Sequence, residues 1–170
     1  MKIAVFGSAF NPPSLGHKSV IERLGHFDKV LLVPSISHAW GKSMLTYEIR
    51  LEMIAAFITD LDLDNVELST LEKEIYIPEQ SVTTFALLNS LQEKELTADI
   101  TFIIGPDNLM SFTKFYKSDE IVQRWGVMAC PETLPIRSTD IRNALRSGGD
   151  ISDLTTASVR EYIVEHHLYE

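Results

Sequence analysis

The chain carries one cysteine, Cys130, in 170 residues, so no internal disulfide can form and a reducing compartment is expected. No apolar run reaches membrane-spanning length. Met1-Lys2 leads directly into a predicted strand rather than a signal peptide, and the expectation is a cytoplasmic protein with no membrane partner. Basic residues are scarce: 15 Lys and Arg stand against 24 Asp and Glu, a formal charge of -9. With no local basic patch, that balance argues against nucleic acid as a partner. It does not exclude a small anion, because a few local donors outweigh a distant net charge screened over about 8 Å. Repeats and low-complexity segments are missing. The loop after the first predicted strand lacks both the GKS or GKT of a Walker A loop and a GxGxxG run.

What remains is ordinary for a globular protein: 45% hydrophobic and 23% charged residues, enough to argue against disorder. The length supports one core, so residues 1-170 read as a single domain. A homo-oligomer stays open, since an exposed apolar interface and a core look alike in sequence. Strands are predicted at Lys2 to Phe6, Val30 to Val33, Asn65 to Leu68, Ile100 to Ile104 and Gly126 to Ala129. Helices are predicted at His17 to Leu24, Tyr47 to Ile58, Ser81 to Leu91 with Ser81 as N-cap, Ser138 to Arg146 and Ala157 to His167. This alternation predicts an α/β fold, a doubly wound, mostly parallel sheet of Rossmann-like topology with helices on both faces. Ligands of such folds bind beyond the carboxyl ends of the strands, which directs attention to the segments after Phe6, Val33, Ile104 and Ala129.

After the first strand, Gly7 and Ser8 let the backbone approach a ligand, and a helix starting near His17 offers free N–H groups and the positive end of its dipole. A phosphate fits there, and so does a plain strand-to-helix turn. The residues themselves resemble a known pattern. "GSAFNPPSLGH", Gly7 to His17, resembles the GxFxPxHxGH motif of the nucleotidylyltransferase superfamily, in particular of nicotinate or nicotinamide mononucleotide adenylyltransferases. "IRSTDIRNALRSG", Ile136 to Gly148, resembles their ISSTxIR segment; "GPDNL", Gly105 to Leu109, resembles their GADxL; and "SVREYIVEHHLY" resembles their final helix. Ser14 stands where the HxGH pattern has its first histidine, a position at which the eukaryotic enzymes carry threonine. "AWGK", Ala39 to Lys42, and "YKSDEI", Tyr116 to Ile121, are similar to the AYGK and WKSEDI of those eukaryotic enzymes.

The resemblance implies transfer of AMP from ATP to a pyridine mononucleotide, releasing pyrophosphate, in NAD biosynthesis. The attacking phosphate is already largely ionised at pH 7, so catalysis reduces to aligning two polyanions and neutralising charge. Carried onto this sequence, Gly7, Ser8, Phe10, Gly16 and His17 belong to the ATP site, with His17 donating to the α-phosphate and the Ser14 hydroxyl beside it. Ser138, Thr139 and Arg142 take the β- and γ-phosphates; read without the resemblance, they are a capped helix start with a surface arginine. Arg137 is adjacent, with nothing in the sequence to place it. Lys42 is a candidate cation, or an exposed loop lysine. Gly105 and Asp107 belong to the adenosine pocket, Asp107 on the ribose or capping a short helix. For the mononucleotide the resemblance implies Ser8, Lys42, Thr83 and an aromatic, Phe115 by the bacterial pattern and Tyr116 by the eukaryotic one. Mg2+ is implied by ATP chemistry and held mainly by phosphates, with no protein metal motif.

Cys130 reads as a small strand-end residue, consecutive His166 and His167 diverge on a helix, and the run Asp60, Asp62, Asp64 reads as a solvated turn. The competing readings are another nucleotidylyltransferase, for example one acting on phosphopantetheine, or an adenine-nucleotide-binding module with reduced catalysis.

Overall fold

The computed structural model describes residues 1-36 and 44-170. Five strands, Lys2–Ser8 (β1), Lys29–Pro34 (β2), Val66–Leu68 (β3), Asp99–Ile104 (β4) and Gly126–Ala129 (β5), form one sheet of order β3-β2-β1-β4-β5. Every pairing is parallel, with Ile3 opposite Lys29 on one side and Ile100 on the other. The chain runs outward from β1 to β3 and then returns to the opposite side at β4, so the strand order reverses between β1 and β4. That reversal opens a crevice at the strands' carboxyl ends.

Side chains alternate across the sheet with the two-residue period of a strand. Ala4, Phe6, Val30, Leu32 and Ile103 face one core, shared with Leu15–Ile21 (α1), Tyr47–Leu61 (α2), Ser138–Arg146 (α7) and Ala157–Glu165 (α8). Ile3, Val5, Leu31, Val33, Ile100, Phe102 and Ile104 face the other, shared with Leu71–Ile75 (α3), Thr84–Lys94 (α4) and Ser118–Arg124 (α6). Full burial of a Leu, Ile or Phe contributes roughly 1.5–3 kcal/mol. Those cores, rather than helix propensity, hold α1 and α3, which at seven and five residues are too short to persist alone. The doubly wound parallel architecture predicted from the alternation is the one observed.

Several boundaries differ from the predicted ones. α1 starts at Leu15, because Ser14 rather than a residue near His17 ends the loop, with its hydroxyl accepting from the His17 N–H at 3.3 Å. α4 is capped by Thr83, not Ser81: the Thr83 hydroxyl accepts from the Ala86 N–H at 3.1 Å, and Val82 before it packs on the same core as Leu87. α8 ends at Glu165, since His167 turns left-handed at φ 52°. α3 and α6 occupy stretches too short to show a periodicity. Pro106–Met110 (α5) has Gly105 as its N-cap, so Asp107 sits inside the first turn rather than capping it. Asp60 is no solvated turn: its carboxylate accepts from the Ser158 N–H at 2.8 Å and hydroxyl at 2.6 Å, tying α2 to α8.

Candidate active site

A cleft of about 230 Å³ opens at the β1/β4 crevice, walled by Phe6, Gly7 and Ser8 from β1, His17 and Val20 from α1, and Phe102 to Asn108 from β4 and α5. Phe115, Cys130, Glu132 and Arg137 complete it. Gly7, Ser8, His17, Gly105, Asp107 and Phe115 are thus brought together from two of the segments singled out in the sequence, those after Phe6 and after Ile104.

The loop between β1 and α1 is held by α7 and by the segment entering α8. Its carbonyls are received in succession: Asn11 by the Arg142 guanidinium at 2.7 Å, Pro12 by the Ser138 hydroxyl at 2.6 Å, and Pro13 by the Thr155 hydroxyl at 2.8 Å. The Ser14 hydroxyl donates to the Ile136 carbonyl at 3.2 Å. Two motifs more than a hundred residues apart therefore form one structure. Arg137 is the N-cap of α7, its N–H donating to the Asp140 carboxylate at 2.9 Å, so Ser138 and Thr139 occupy the first helical positions instead of the cap. Their side chains turn to the loop and to Arg142, which donates to the Thr139 hydroxyl at 3.1 Å.

His17 has a defined protonation state. Burial pushes its pKa down to about 4, so the ring is neutral at pH 7. Its Nδ1 accepts from the Ser14 N–H at 3.0 Å, which requires the proton to reside on Nε2. Nε2 lies 3.0 Å from the Ser8 hydroxyl and donates to it across the cleft wall. The result is a fixed, uncharged donor. Phe10, expected in the ATP site, has a fully buried side chain that does not line the cleft, its ring 4.7 Å from the imidazole. Ser14 is likewise buried; its hydroxyl donates to the Ile136 carbonyl and caps α1. Gly16 does not line the cleft: it lets the Ile136 carbonyl lie against α1.

Asp107 is exposed at the mouth, its carboxylate 3.9 Å from the Arg137 guanidinium. Arg137, which the sequence could not place, thus faces the cleft opposite the β4 end. Of the two candidate aromatics Phe115 lines the cleft, packed on Phe112 at 4.9 Å; Tyr116 is exposed and meets Phe85 edge-on. Thr83 lines a separate depression of about 200 Å³ with Ile75, Ile77 and Gln80. Lys42 and the rest of "AWGK" lie outside the described residues.

Sequence reading missed Arg50. Its side chain is buried in α2 and donates to the carbonyls of Leu45 at 2.9 Å, Ala9 at 2.9 Å and Ser35 at 2.7 Å, joining the loops that follow β1 and β2. A signal existed: Arg50 continues the stripe Met53, Ile54, Phe57, Leu61, so a charge sat on the apolar face. Glu132 and Asn108 were also missed; neither has a local pattern to mark it. Among the described residues no three His, Cys, Asp or Glu are grouped to hold a metal, and no helix is long and apolar enough to cross a membrane.

Residues 5–144 match the family model described as cytidylyltransferase-like. Among curated proteins, a "probable nicotinate-nucleotide adenylyltransferase" of Myxococcus xanthus is 31% identical, with 99% of this chain and 95% of the relative covered. One of the same description from Caldicellulosiruptor saccharolyticus is 26% identical over the whole of both chains. Among solved structures, a candidate nicotinate-nucleotide adenylyltransferase from Vibrio parahaemolyticus superposes with a TM-score of 0.89 at 58% identity, covering 99% of this chain and 94% of that one. The Plasmodium falciparum nicotinic acid mononucleotide adenylyltransferase complexed with NaAD shares the fold, with a TM-score of 0.79 at 16% identity over 99% of this chain and 97% of that one.

Proposed function

The chain belongs to the cytidylyltransferase-like family of nucleotidyltransferases, and from that premise we propose that it transfers AMP from ATP to nicotinate mononucleotide, or to the nicotinamide form, in NAD biosynthesis. The observation that carries this reading is the neutral His17, its Nε2–H aimed into a cleft at the strand-order reversal, beside a loop bound to the start of α7.

In this reading the α-phosphate oxygen replaces the Ser8 hydroxyl as the acceptor of the His17 Nε2 proton. The donor is neutral before and after, so no proton needs to move; the bond strengthens as charge grows on the phosphate oxygens. Ser14 and Phe10 act by holding the ring. The free N–H groups of Ser138 and Thr139 and the Arg142 guanidinium receive the β- and γ-phosphates at the N-terminus of α7. Gly105 allows close approach of the adenosine and Asp107 accepts from its ribose, with Arg137 facing the nucleotide from across the mouth. Phe115 stacks on the pyridine ring; Lys42 and Thr83 are assigned to the mononucleotide by resemblance alone. Mg2+, when bound to the triphosphate, would neutralise charge. Its ligands would be mainly phosphate oxygens and water. We take the chain to act as a single domain, in the cytoplasm, on small molecules and not on nucleic acid, in keeping with its net charge of -9.

The test is Mg2+-dependent pyrophosphate release from ATP with each mononucleotide, and His17→Ala beside wild type. Turnover with at least one acceptor is expected, and loss of this donor should lower kcat by about 10²–10³-fold. A folded protein that binds ATP but is silent with both acceptors would overturn the reading.

A further inference from the structure

The segment after α8 reaches back to the opening loop. α8 closes in a Schellman turn: the Leu168 N–H returns to the Ile163 carbonyl at 3.1 Å and the His167 N–H to that of Val164 at 3.3 Å, with His167 at φ 52°. The turn folds Leu168 and Tyr169 onto the core shared by β1 and α2. Tyr169 is itself left-handed, at φ 64°, a conformation that an aromatic residue adopts only where its surroundings hold it. Its hydroxyl donates to the Asn11 side-chain carbonyl at 2.6 Å.

Asn11 is 5% exposed and serves three partners. Its side-chain oxygen also accepts from the Leu45 N–H at 3.4 Å, and its main-chain carbonyl is the 2.7 Å acceptor of Arg142. One buried residue thus links the tail, the entry to α2, the loop after β1 and the arginine of α7. Burial drives the Tyr169 phenol above its usual range, against the pull of the Arg142 and Arg50 charges, so it remains a protonated donor.

We propose that Tyr169 is a positioning residue for the triphosphate site: by fixing Asn11 it fixes the carbonyl on which the Arg142 guanidinium docks, and so aims that guanidinium at the β- and γ-phosphates. The inference rests on the adenylyltransferase reading, and it makes the tail part of the nucleotide site although the tail touches no ligand. Arg142 docked on Asn11 O and Thr139 Oγ1 uses two of its five N–H groups, leaving the others for phosphate oxygens. With its side chain unanchored, the loop backbone at Asn11 is freer to shift, which would move the main-chain carbonyl and let the guanidinium swing.

The experiment is a double-mutant cycle of Tyr169→Phe and Arg142→Ala, read as the Kd of ATP by calorimetry and as kcat and KM for each substrate. Tyr162→Phe, which removes a hydroxyl from α8 that donates to Glu52 at 2.7 Å, away from the loop after β1, is the control. Tyr169→Phe keeps the ring and should remain folded, as a thermal melt would report. Expected is a three- to tenfold weaker Kd and higher KM for ATP, about one buried hydrogen bond. The KM for the mononucleotide should stay within about twofold, and the ATP effect should vanish in the Arg142→Ala background. An unchanged ATP affinity, an equal loss for both substrates, or full additivity with Arg142→Ala would overturn the proposal. These outcomes are separable from failure of the proposed function, because wild-type turnover is measured in the same series and ATP binding does not require it.

Discussion

The Ile136 carbonyl oxygen occupies the place where a Cβ on residue 16 would stand, so α1 and the segment entering α7 touch only because residue 16 is glycine. The obstruction is backbone, which cannot rotate aside, and the Glu132 carboxylate lies 3.0 Å from the same point. The two motifs meet at this contact.

Gly16→Ala should therefore lower the unfolding free energy by about 1–3 kcal/mol, the cost of overpacking, and weaken ATP binding with it. Gly25→Ala is the matched control, since a Cβ there meets nothing within 4 Å. Urea titrations of both variants check this; equal midpoints would show that the loop and α7 can part freely.

The half-buried imidazole of His17, desolvated in the cleft wall, makes stability depend on pH with a definite sign. His17 has a pKa of about 4 when folded and 6.5 as an unperturbed side chain, so between those values the unfolded chain takes up a proton that the folded chain refuses. Its stabilising effect is complete above about pH 6.5 and is lost as pH falls towards 4. Glu72, pushed up to about 7 by burial from 4.5, acts in the opposite direction, contributing most at low pH and losing that as pH rises through 7. Denaturation of wild type and His17→Gln across pH 4 to 7 isolates the imidazole: the variant should lose less stability on acidification. Parallel curves would mean that His17 is protonated in the fold.

Arg50→Met keeps much of the stem's apolar packing but orphans the carbonyls of Leu45, Ala9 and Ser35. At roughly 1–3 kcal/mol for each unsatisfied acceptor, and with relief from no longer burying a charge, the expected loss is about 3 kcal/mol or more. Arg50→Lys should fall between, because an ammonium cannot reach all three acceptors in the guanidinium's fork. Chemical denaturation measures both, and a neutral Arg50→Met would show that these loops hold themselves.

Much of the site was legible because its chemistry is local in sequence. Ser8 and His17 sit on either side of one loop, and Gly105 and Asp107 follow one strand, so strand-stop and helix-start signals locate them. Arg137 and Phe115 needed the fold. Each lies on a segment whose direction is set by packing, and nothing in its neighbours says which way it points.

The sequence alone determined the alternation of strands and helices, because a period of two and a period near 3.6 are written in consecutive residues, and it marked the loops where a ligand could lie. Tertiary structure alone decided what those residues do. Ser14 is seen to cap α1, Phe10 to pack on the imidazole, and Arg50 to tie two loops together. Three contacts rest on partners distant in the chain: Ile136 for Ser14, Ala9 and Ser35 for Arg50, Asn11 for Tyr169. A hydrogen bond over such a separation depends on how the sheet brings two loops to one edge, and no local pattern of residues encodes that distance.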